Sequence, residues 1–263
     1  MRNPFKAWRR RRLAGEPFPE AWRRVLARNV PYVAFLTEKE RRELERLVRV
    51  FLAEKTFEGA GGFEVDDEAR ITIAGQACLL LLNRGADVYP RLDTVIVYPA
   101  AYVAPGRRRN PDGTVTEGPQ VRFGESWKTG AVVLSWEDVR RGAEDFHDGR
   151  NLVLHEFAHQ IDSEDGPADG APPLSGASSY AAWARVLGRE YRALLTDVQR
   201  LRPTVLDGYG ATNPAEFFAV ATETFFERSR ELRARSPELY DQLRLFYRQD
   251  PAARIDAAAR GKG

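Results

Sequence analysis

The chain is poor in cysteine and histidine, and both shortages narrow what it can be. Its 263 residues include one cysteine, Cys78, and three histidines. A single cysteine excludes an internal disulfide and fits a reducing compartment, so we expect a cytoplasmic protein. Cys78 lies in the apolar run Ala77–Leu82, which predicts a buried structural thiol.

Long apolar runs and an excess of one charge are also missing. No stretch approaches the roughly 18 apolar residues of a membrane span, so we expect no transmembrane helix. The 40 basic and 38 acidic side chains give a formal net charge of +2, which argues against a surface that binds nucleic acid directly. The basic run Arg9–Arg12 lies in a segment without the apolar core of a secretory signal. We predict a flexible tail at 1–18, with an anchor for acidic lipid or nucleic acid as the alternative.

Two of the three histidines lie in the stretch NLVLHEFAHQID, Asn151–Asp162, which contains His155, Glu156 and His159 in the spacing H-E-x-x-H. Residues four apart lie on one face of an α-helix, so the two imidazoles can share a metal ion. Glu156 can then reach a water beside that ion, as in zinc peptidases. The flanking residues are apolar, so this helix should be buried, where imidazoles without a metal are costly. The alternative is a helix whose histidines satisfy only local hydrogen bonds.

A zinc site needs a third protein ligand. Asp165, shortly after the motif, is a candidate, although Asp162 stands where a sharp return of the chain requires glycine. Glu216 and Glu223 are the other candidates: they lie seven residues apart on one face of an apolar helical stretch. A carboxylate in such surroundings is costly to bury unless it is paired or bound to metal. We expect the third histidine, His147, at the surface or as a helix cap.

The hydrophobic pattern predicts a mostly helical α+β domain over residues 19–250, with a small sheet packed over the helix that carries the motif. The predicted helical stretches are Pro19–Phe57, Asp66–Leu82, Tyr180–Leu201, and those that begin at Asn213 and Ser236. The predicted strands are Thr94–Tyr98 and Ala131–Ser135, separated by a loop or extended hairpin at Val103–Trp127.

Three further segments have expected roles. By analogy with related folds, we expect Ala131–Ser135 to be the edge strand that pairs with a peptide substrate. The polar, Gly- and Pro-rich stretch Ser163–Ser179 should form a rim or lid over the site. Residues 251–263 should be a second flexible tail.

Several stretches resemble known proteins. Tyr209–Ala219, YGATNPAEFFA, is similar to the end of the catalytic domain of anthrax lethal factor. A more extensive resemblance is to the Mlc titration factor A family of bacterial proteins. The segments that carry it are ITIAGQACLLLLN at Ile71–Asn83, VIVYP at Val95–Pro99, DGRNLVLHEFAHQID at Asp148–Asp162, and TNPAEFFAVATETFF at Thr212–Phe226.

These resemblances imply a zincin-like, cytosolic zinc peptidase with aminopeptidase-type activity and a Zn²⁺ cofactor. They imply Glu216 as the third zinc ligand and Tyr209 as the residue that stabilises the oxyanion. Glu156 is then the general base, while Asp162 and Glu223 are candidates to accept hydrogen bonds from the ligand imidazoles. The family also implies binding to Mlc, a repressor of glucose-uptake genes.

Two other interpretations stay open from the sequence. The chain could be a non-catalytic regulatory protein that sequesters a repressor, or a self-inhibited peptidase whose cleft is covered by Ser163–Ser179 or by the C-terminal tail. An aminopeptidase needs an acidic anchor for the free amine of its substrate, and Glu125, Glu164 and Asp165 are available. The sequence does not fix the substrate, the choice between endo- and exo-cleavage, or the oligomeric state.

Overall fold

The computed structural model describes residues 4–85, 87–109, 115–122, 124–127, 130–174 and 177–260. The α-helices in these ranges are α1 (Pro4–Gly15), α2 (Glu20–Asn29), α3 (Glu38–Glu54), α4 (Asp67–Leu79), α5 (Trp136–Glu144), α6 (Leu152–Asp162), α7 (Ala177–Gln199), α8 (Pro214–Glu227), α9 (Ser229–Arg235), α10 (Pro237–Tyr247) and α11 (Pro251–Arg260). The strands are β1 (Thr56–Gly59), β2 (Thr94–Tyr98), β3 (Tyr102–Arg109), β4 (Val115–Arg122), β5 (Gly124–Trp127) and β6 (Ala131–Ser135). Short 3-10 helices span Pro31–Phe35 and Gly208–Ala211.

The main sheet has four strands in the order β1-β2-β6-β5. Strands β1, β2 and β6 are parallel, and β5 runs antiparallel to β6. Strand β6 is therefore an inner strand, so the prediction that Ala131–Ser135 forms the edge is wrong. The edge strand is β5, which comes from a polar stretch without the β-branched alternation that identified β6. Strands β3 and β4 form a separate antiparallel hairpin, as one of the two alternatives for Val103–Trp127 predicted.

Helix α6 packs where the sheet meets the helical part of the molecule. It contacts β5 and β6 on the sheet and α8, α4 and α5 among the helices. Helix α4 is apolar on almost every side and nearly all of it is buried, including the free thiol of Cys78. The mostly helical α+β architecture with a small sheet beside the motif helix is as predicted. None of the helices in the described ranges has the length and apolar character that crossing a membrane requires.

The described chain is helical near both ends, in α1 and α11, and the flexible tails expected at 1–18 and 251–263 stay a prediction. Basic side chains in both terminal helices find partners on the domain. In α1, Arg10 forms two hydrogen bonds of 2.6 Å with Glu54. In α11, Arg254 donates to Glu40 and, at 2.7 Å, to the hydroxyl of Tyr32. These ion pairs give both segments contacts that composition does not reveal, while the boundaries of the single domain stay a prediction.

Candidate metal centre

The start of α6 is determined by Asn151, whose side-chain oxygen accepts a hydrogen bond from the backbone of Leu154 at 3.0 Å. This cap satisfies one of the unpaired amides in the first turn. The apolar side chains of α6 other than the partly buried Leu152 are buried in the core, whereas the imidazoles of His155 and His159 keep 12% of their surface exposed. Because the histidines are one turn apart, their Nε2 atoms lie 3.2 Å from each other.

Helix α8 brings Glu216 to the two histidines. Pro214 occupies its first turn, and the side chain of Asn213 accepts from the backbone of Glu216 at 3.0 Å, so the carboxylate lies near the helix start. Its Oε2 lies 3.0 Å from His155 Nε2 and 3.3 Å from His159 Nε2. The sequence left Glu216, Glu223 and Asp165 open as third ligands, and the structure brings Glu216 to the histidines.

The spacing of these three groups suits one metal ion. Their ligand atoms all lie within 4.8 Å of one another, and no other such group of His, Cys, Asp or Glu occurs within the described residues. Donors that surround zinc tetrahedrally at about 2.0–2.1 Å are roughly 3.3 Å apart. The separations of 3.0–3.3 Å found here are close to that value. Two nitrogens and one carboxylate oxygen are also a donor set that zinc accepts.

Burial and close charge pairing act on these groups in opposite directions. Burial by itself lowers the pKa of His155, but its hydrogen bonds to Glu216 and Glu223 outweigh burial and raise that pKa well above its usual value. Burial raises the pKa of Glu216, but the bonds with His155 and His159 outweigh it and lower that pKa to about 2. Glu216 is therefore an anionic donor at neutral pH.

Glu223 holds His155 from the side opposite Glu216. One carboxylate oxygen lies 2.8 Å from His155 Nδ1, and the other accepts from the backbone amide of Asn151 at 2.6 Å. The bond at Nδ1 leaves Nε2 directed at Glu216 and His159, which is the orientation a ligand histidine needs. Glu223 is buried, and this burial raises its pKa. The sequence predicted Glu223 as a residue that accepts a hydrogen bond from a ligand imidazole, and its contact with His155 Nδ1 has that geometry.

Two other predicted residues flank the cluster. Glu156 is buried beside His155, and burial raises the pKa of its carboxyl. Tyr209 lies on the 3-10 helix Gly208–Ala211 and is 56% exposed. Its ring centroid is 6.0 Å from that of His155. The tyrosine is thus beside a candidate ligand and open to solvent, where a substrate could reach it.

Asp162, Asp165 and His147, which the sequence analysis also considered, do not belong to the cluster of His155, His159 and Glu216. Asp162 was predicted to accept from a ligand imidazole, but its Oδ2 accepts from the backbone of Gly170 at 2.8 Å, because the following loop folds back over the end of α6. Asp165 is exposed and accepts from the hydroxyl of Tyr180 at 3.4 Å, outside the metal cluster. His147 is exposed, as predicted. The side chain of Glu125, a proposed amine anchor on β5, lies outside the described residues.

Sequence reasoning missed residues that connect the start of α6 to other segments around the cluster. Arg150 donates to Asp207 Oδ2 at 2.9 and 2.7 Å, which ties the start of α6 to the segment that carries Tyr209. Glu227, one turn beyond Glu223, accepts from the backbone of Gly149 at 3.1 Å. Burial raises the pKa of Glu227 to about 9, so it is uncharged at neutral pH. Its spacing of four from Glu223 on an apolar helix was the signal available in the sequence.

A small sheet beside a buried helix, with His155, His159 and Glu216 converging, is the arrangement of a zincin-like metallopeptidase. Comparison with known proteins identifies the family. The model of the family described as glucose-regulated metallo-peptidase M90 matches residues 5–248, and the chain belongs to this family.

Curated relatives cover nearly the whole chain. An uncharacterised protein of Synechocystis sp. is 43% identical over 246 residues, which cover 93% of this chain and 89% of the relative. The Mlc titration factor A of Cronobacter sakazakii is 32% identical over 254 residues, covering 96% and 93%. That of Escherichia coli is 30% identical over 239 residues, covering 90% and 89%. The predicted resemblance to the Mlc titration factor A family is confirmed.

Proposed function

We propose that this protein is a zinc-dependent, aminopeptidase-like peptidase whose metal is held by His155, His159 and Glu216. The observation that carries the proposal is the mutual spacing of these three ligand atoms, 3.0–3.3 Å, with Glu156 next to the first histidine. When bound, zinc supplies a Lewis acid that polarises a peptide carbonyl and makes water more acidic. Within the same proposal, the single buried thiol supports a cytoplasmic setting.

Glu156 acts as the general base of the reaction. Its carboxylate takes a proton from the attacking water while the water oxygen forms a bond to the carbonyl carbon. The same carboxyl then gives this proton to the amine nitrogen as the C–N bond breaks, so the base returns to its starting state. Glu156 follows His155 directly in the chain, and its side chain is buried.

Tyr209 donates its hydroxyl proton in a hydrogen bond to the oxyanion that forms on the carbonyl. Removing a donor of this kind costs roughly 3 kcal/mol of transition-state stabilisation in other enzymes. Asp207 accepts from the backbone amide of Tyr209 at 2.9 Å, and the Arg150–Asp207 pair holds this turn against the start of α6. The tyrosine is therefore on a segment fixed relative to the metal ligands.

The edge strand β5 is where we place the extended substrate. It is the last strand of the sheet in the described order and contacts α6. A peptide that pairs with a strand edge gains backbone hydrogen bonds whatever its side chains are. This replaces β6 as the proposed pairing strand.

We also propose that the protein binds a repressor of the Mlc type. The support is the name of the relatives from Cronobacter sakazakii and Escherichia coli, each called Mlc titration factor A. This role is compatible with catalysis, and it is the whole function in the second candidate interpretation, a non-catalytic protein that sequesters a repressor. A self-inhibited peptidase, covered by the loop after α6 or by the C-terminal segment, is the third.

Metal exchange tests the catalytic proposal. The protein is stripped with a chelator and assayed with amino-acid anilides carrying either a free or an acetylated amine. We expect activity to return on addition of zinc and to require the free amine. Hydrolysis that is unaffected by chelation would refute a metal-dependent mechanism, and equal cleavage of both anilides would refute the aminopeptidase assignment. Titration of purified Mlc-type repressor against wild type and Glu156→Gln, which should bind it equally, tests the partner separately.

A further inference from the structure

A pocket with two arginines is lined by none of the three residues of the candidate metal centre. It has a volume of about 390 Å³ and is bordered by α7, α10 and the end of the loop that follows α6. We call it the Arg84–Arg248 pocket. Its lining residues are Arg84, Pro173, Leu174, Ser179, Ala182, Trp183, Gln242, Leu245, Phe246 and Arg248. The volume is within the range of about 300–1,000 Å³ that is typical of small-molecule sites.

Arg84 is a largely buried cation without a matching anion. Its Nη1 is fully buried and has no hydrogen-bond partner within the described residues. The guanidinium carbon lies 4.2 Å from the ring centroid of Phe246, which gives it a cation–π contact. Glu164 is the carboxylate whose charge acts most strongly on it, but the two form no ion pair. Buried charges are usually paired with an opposite charge, so the missing partner is evidence for a ligand.

Arg248 brings a second positive charge to the same pocket. Arg248 lines the same pocket as Arg84; burial lowers the pKa of Arg84, and the positive charge of Arg248 has a smaller effect in the same direction. No carboxylate in the described part of the chain forms an ion pair with Arg248. Its backbone is left-handed, with φ of 52°, at the end of α10. Glycine is the usual residue in this conformation, so the backbone at Arg248 is strained.

Neighbouring arginines differ from these two, because each has its own partner. Arg244 donates to Asp241 at 3.0 Å, and Arg254 is paired with Glu40. Both border the adjacent groove along α10 and α11, which Leu245 and Arg248 also line, and neither borders the Arg84–Arg248 pocket. Of the arginines that border these two cavities, Arg84 and Arg248 are the ones without an ion pair to a described residue.

From this arrangement we infer that the Arg84–Arg248 pocket binds a small organic anion, a phosphate monoester or a carboxylate with an apolar body. Guanidinium groups bind both kinds of anion with charge-assisted hydrogen bonds. The side chains of Leu174, Leu245 and Phe246 provide the apolar wall for the rest of the ligand. The amide of Gln242 adds a neutral hydrogen-bonding group.

The wall at Leu174 belongs to the loop that follows α6. The backbone amide of Leu174 donates to the hydroxyl of Tyr180 at 3.0 Å, and the backbone amide of Gly170, in the same loop, donates to Asp162 at 2.8 Å. A Cβ added to Gly170 would lie 2.5 Å from the backbone oxygen of Pro214, at the start of α8. An anion in the pocket would therefore contact a segment that touches both ligand-bearing helices, and we expect it to protect this loop from proteolysis.

Calorimetric titration tests the inference with phenyl phosphate, phenylacetate and inorganic phosphate at fixed ionic strength. The protein is first treated with EDTA, so that a metal cannot bind the probe. We expect saturable binding of phenyl phosphate or phenylacetate, and the tighter of the two identifies the anionic group. Inorganic phosphate should bind more weakly than phenyl phosphate, because it cannot contact the apolar wall. Equal affinities for these two phosphates would contradict an organic ligand.

Three variants locate the site. Arg84→Gln and Arg248→Gln should each weaken binding by roughly tenfold or more, the effect of losing a charge-assisted bond. Arg244→Gln removes a positive charge four residues before Arg248, outside the pocket, and should leave affinity unchanged. Arg248 is exposed, so its variant should fold even if Arg84→Gln does not. No saturable binding to wild type, or wild-type affinity in Arg248→Gln, would overturn the inference.

Discussion

Substitution of Glu223 by glutamine should weaken zinc binding, although Glu223 is not itself a proposed ligand. The carboxylate accepts two hydrogen bonds, from His155 Nδ1 at 2.8 Å and from the amide of Asn151 at 2.6 Å. A glutamine side chain has one oxygen, so one of these two donors would face an NH₂ group. Loss of a buried, charge-assisted bond costs about 1.5–3 kcal/mol. Because His155 would lose its fixed orientation, zinc affinity should fall about 10- to 100-fold.

Zinc affinity is measured by competition with a chromogenic chelator, and the stability of the metal-free protein by urea unfolding. Glu227→Gln is the matched control: it lies one turn further along α8 and is also buried, but its raised pKa leaves it uncharged at neutral pH. It should therefore change zinc affinity by less than about threefold. Wild-type affinity in Glu223→Gln, or equal losses in both variants, would refute the idea that Glu223 orients His155.

Three further predictions concern groups around the site. Tyr209→Phe should lower kcat by roughly 100-fold with zinc content unchanged; full activity in a steady-state assay would refute its oxyanion role. Folding raises the pKa of Glu227 from 4.5 to about 9 and so favours its protonated form. The free energy of unfolding of wild type should therefore fall relative to that of Glu227→Gln as pH rises from 4.5 to about 9. Urea unfolding at several pH values measures this difference, and a difference that does not change with pH would contradict the prediction. Asp162→Ala removes the acceptor for the backbone amide of Gly170 and should lower the free energy of unfolding by about 1–3 kcal/mol. It should also speed proteolysis within residues 163–174, and an unchanged cleavage rate would contradict an anchored loop.

Much of the fold follows from local pattern. Helix α6 has its Asn151 cap and apolar flanks in the printed sequence, and β2 and β6 are short β-branched runs. These elements are specified by neighbouring residues, so periodicity and capping predict them. The spacing H-E-x-x-H fixes the histidines relative to each other for the same reason.

What the sequence could not show depends on contacts between distant segments. The edge position of β5 is set by pairing with β6, and nothing in GESW indicates that pairing. Asp162 binds Gly170 rather than an imidazole because a loop returns to it, and the Arg150–Asp207 pair joins residues 57 positions apart. The choice of Glu216 over Asp165 as the third member of the cluster needed the packing of α8 on α6 or a family resemblance.

The most direct test of the account measures zinc content and peptidase activity together, on purified wild type and Glu156→Gln. About one zinc per chain in both proteins, with hydrolysis of amino-acid anilides lost only in the variant, is the predicted result. It would establish a zinc peptidase and identify its base. Bound zinc with substantial activity remaining in Glu156→Gln, or with no activity in either protein, would contradict the proposed mechanism.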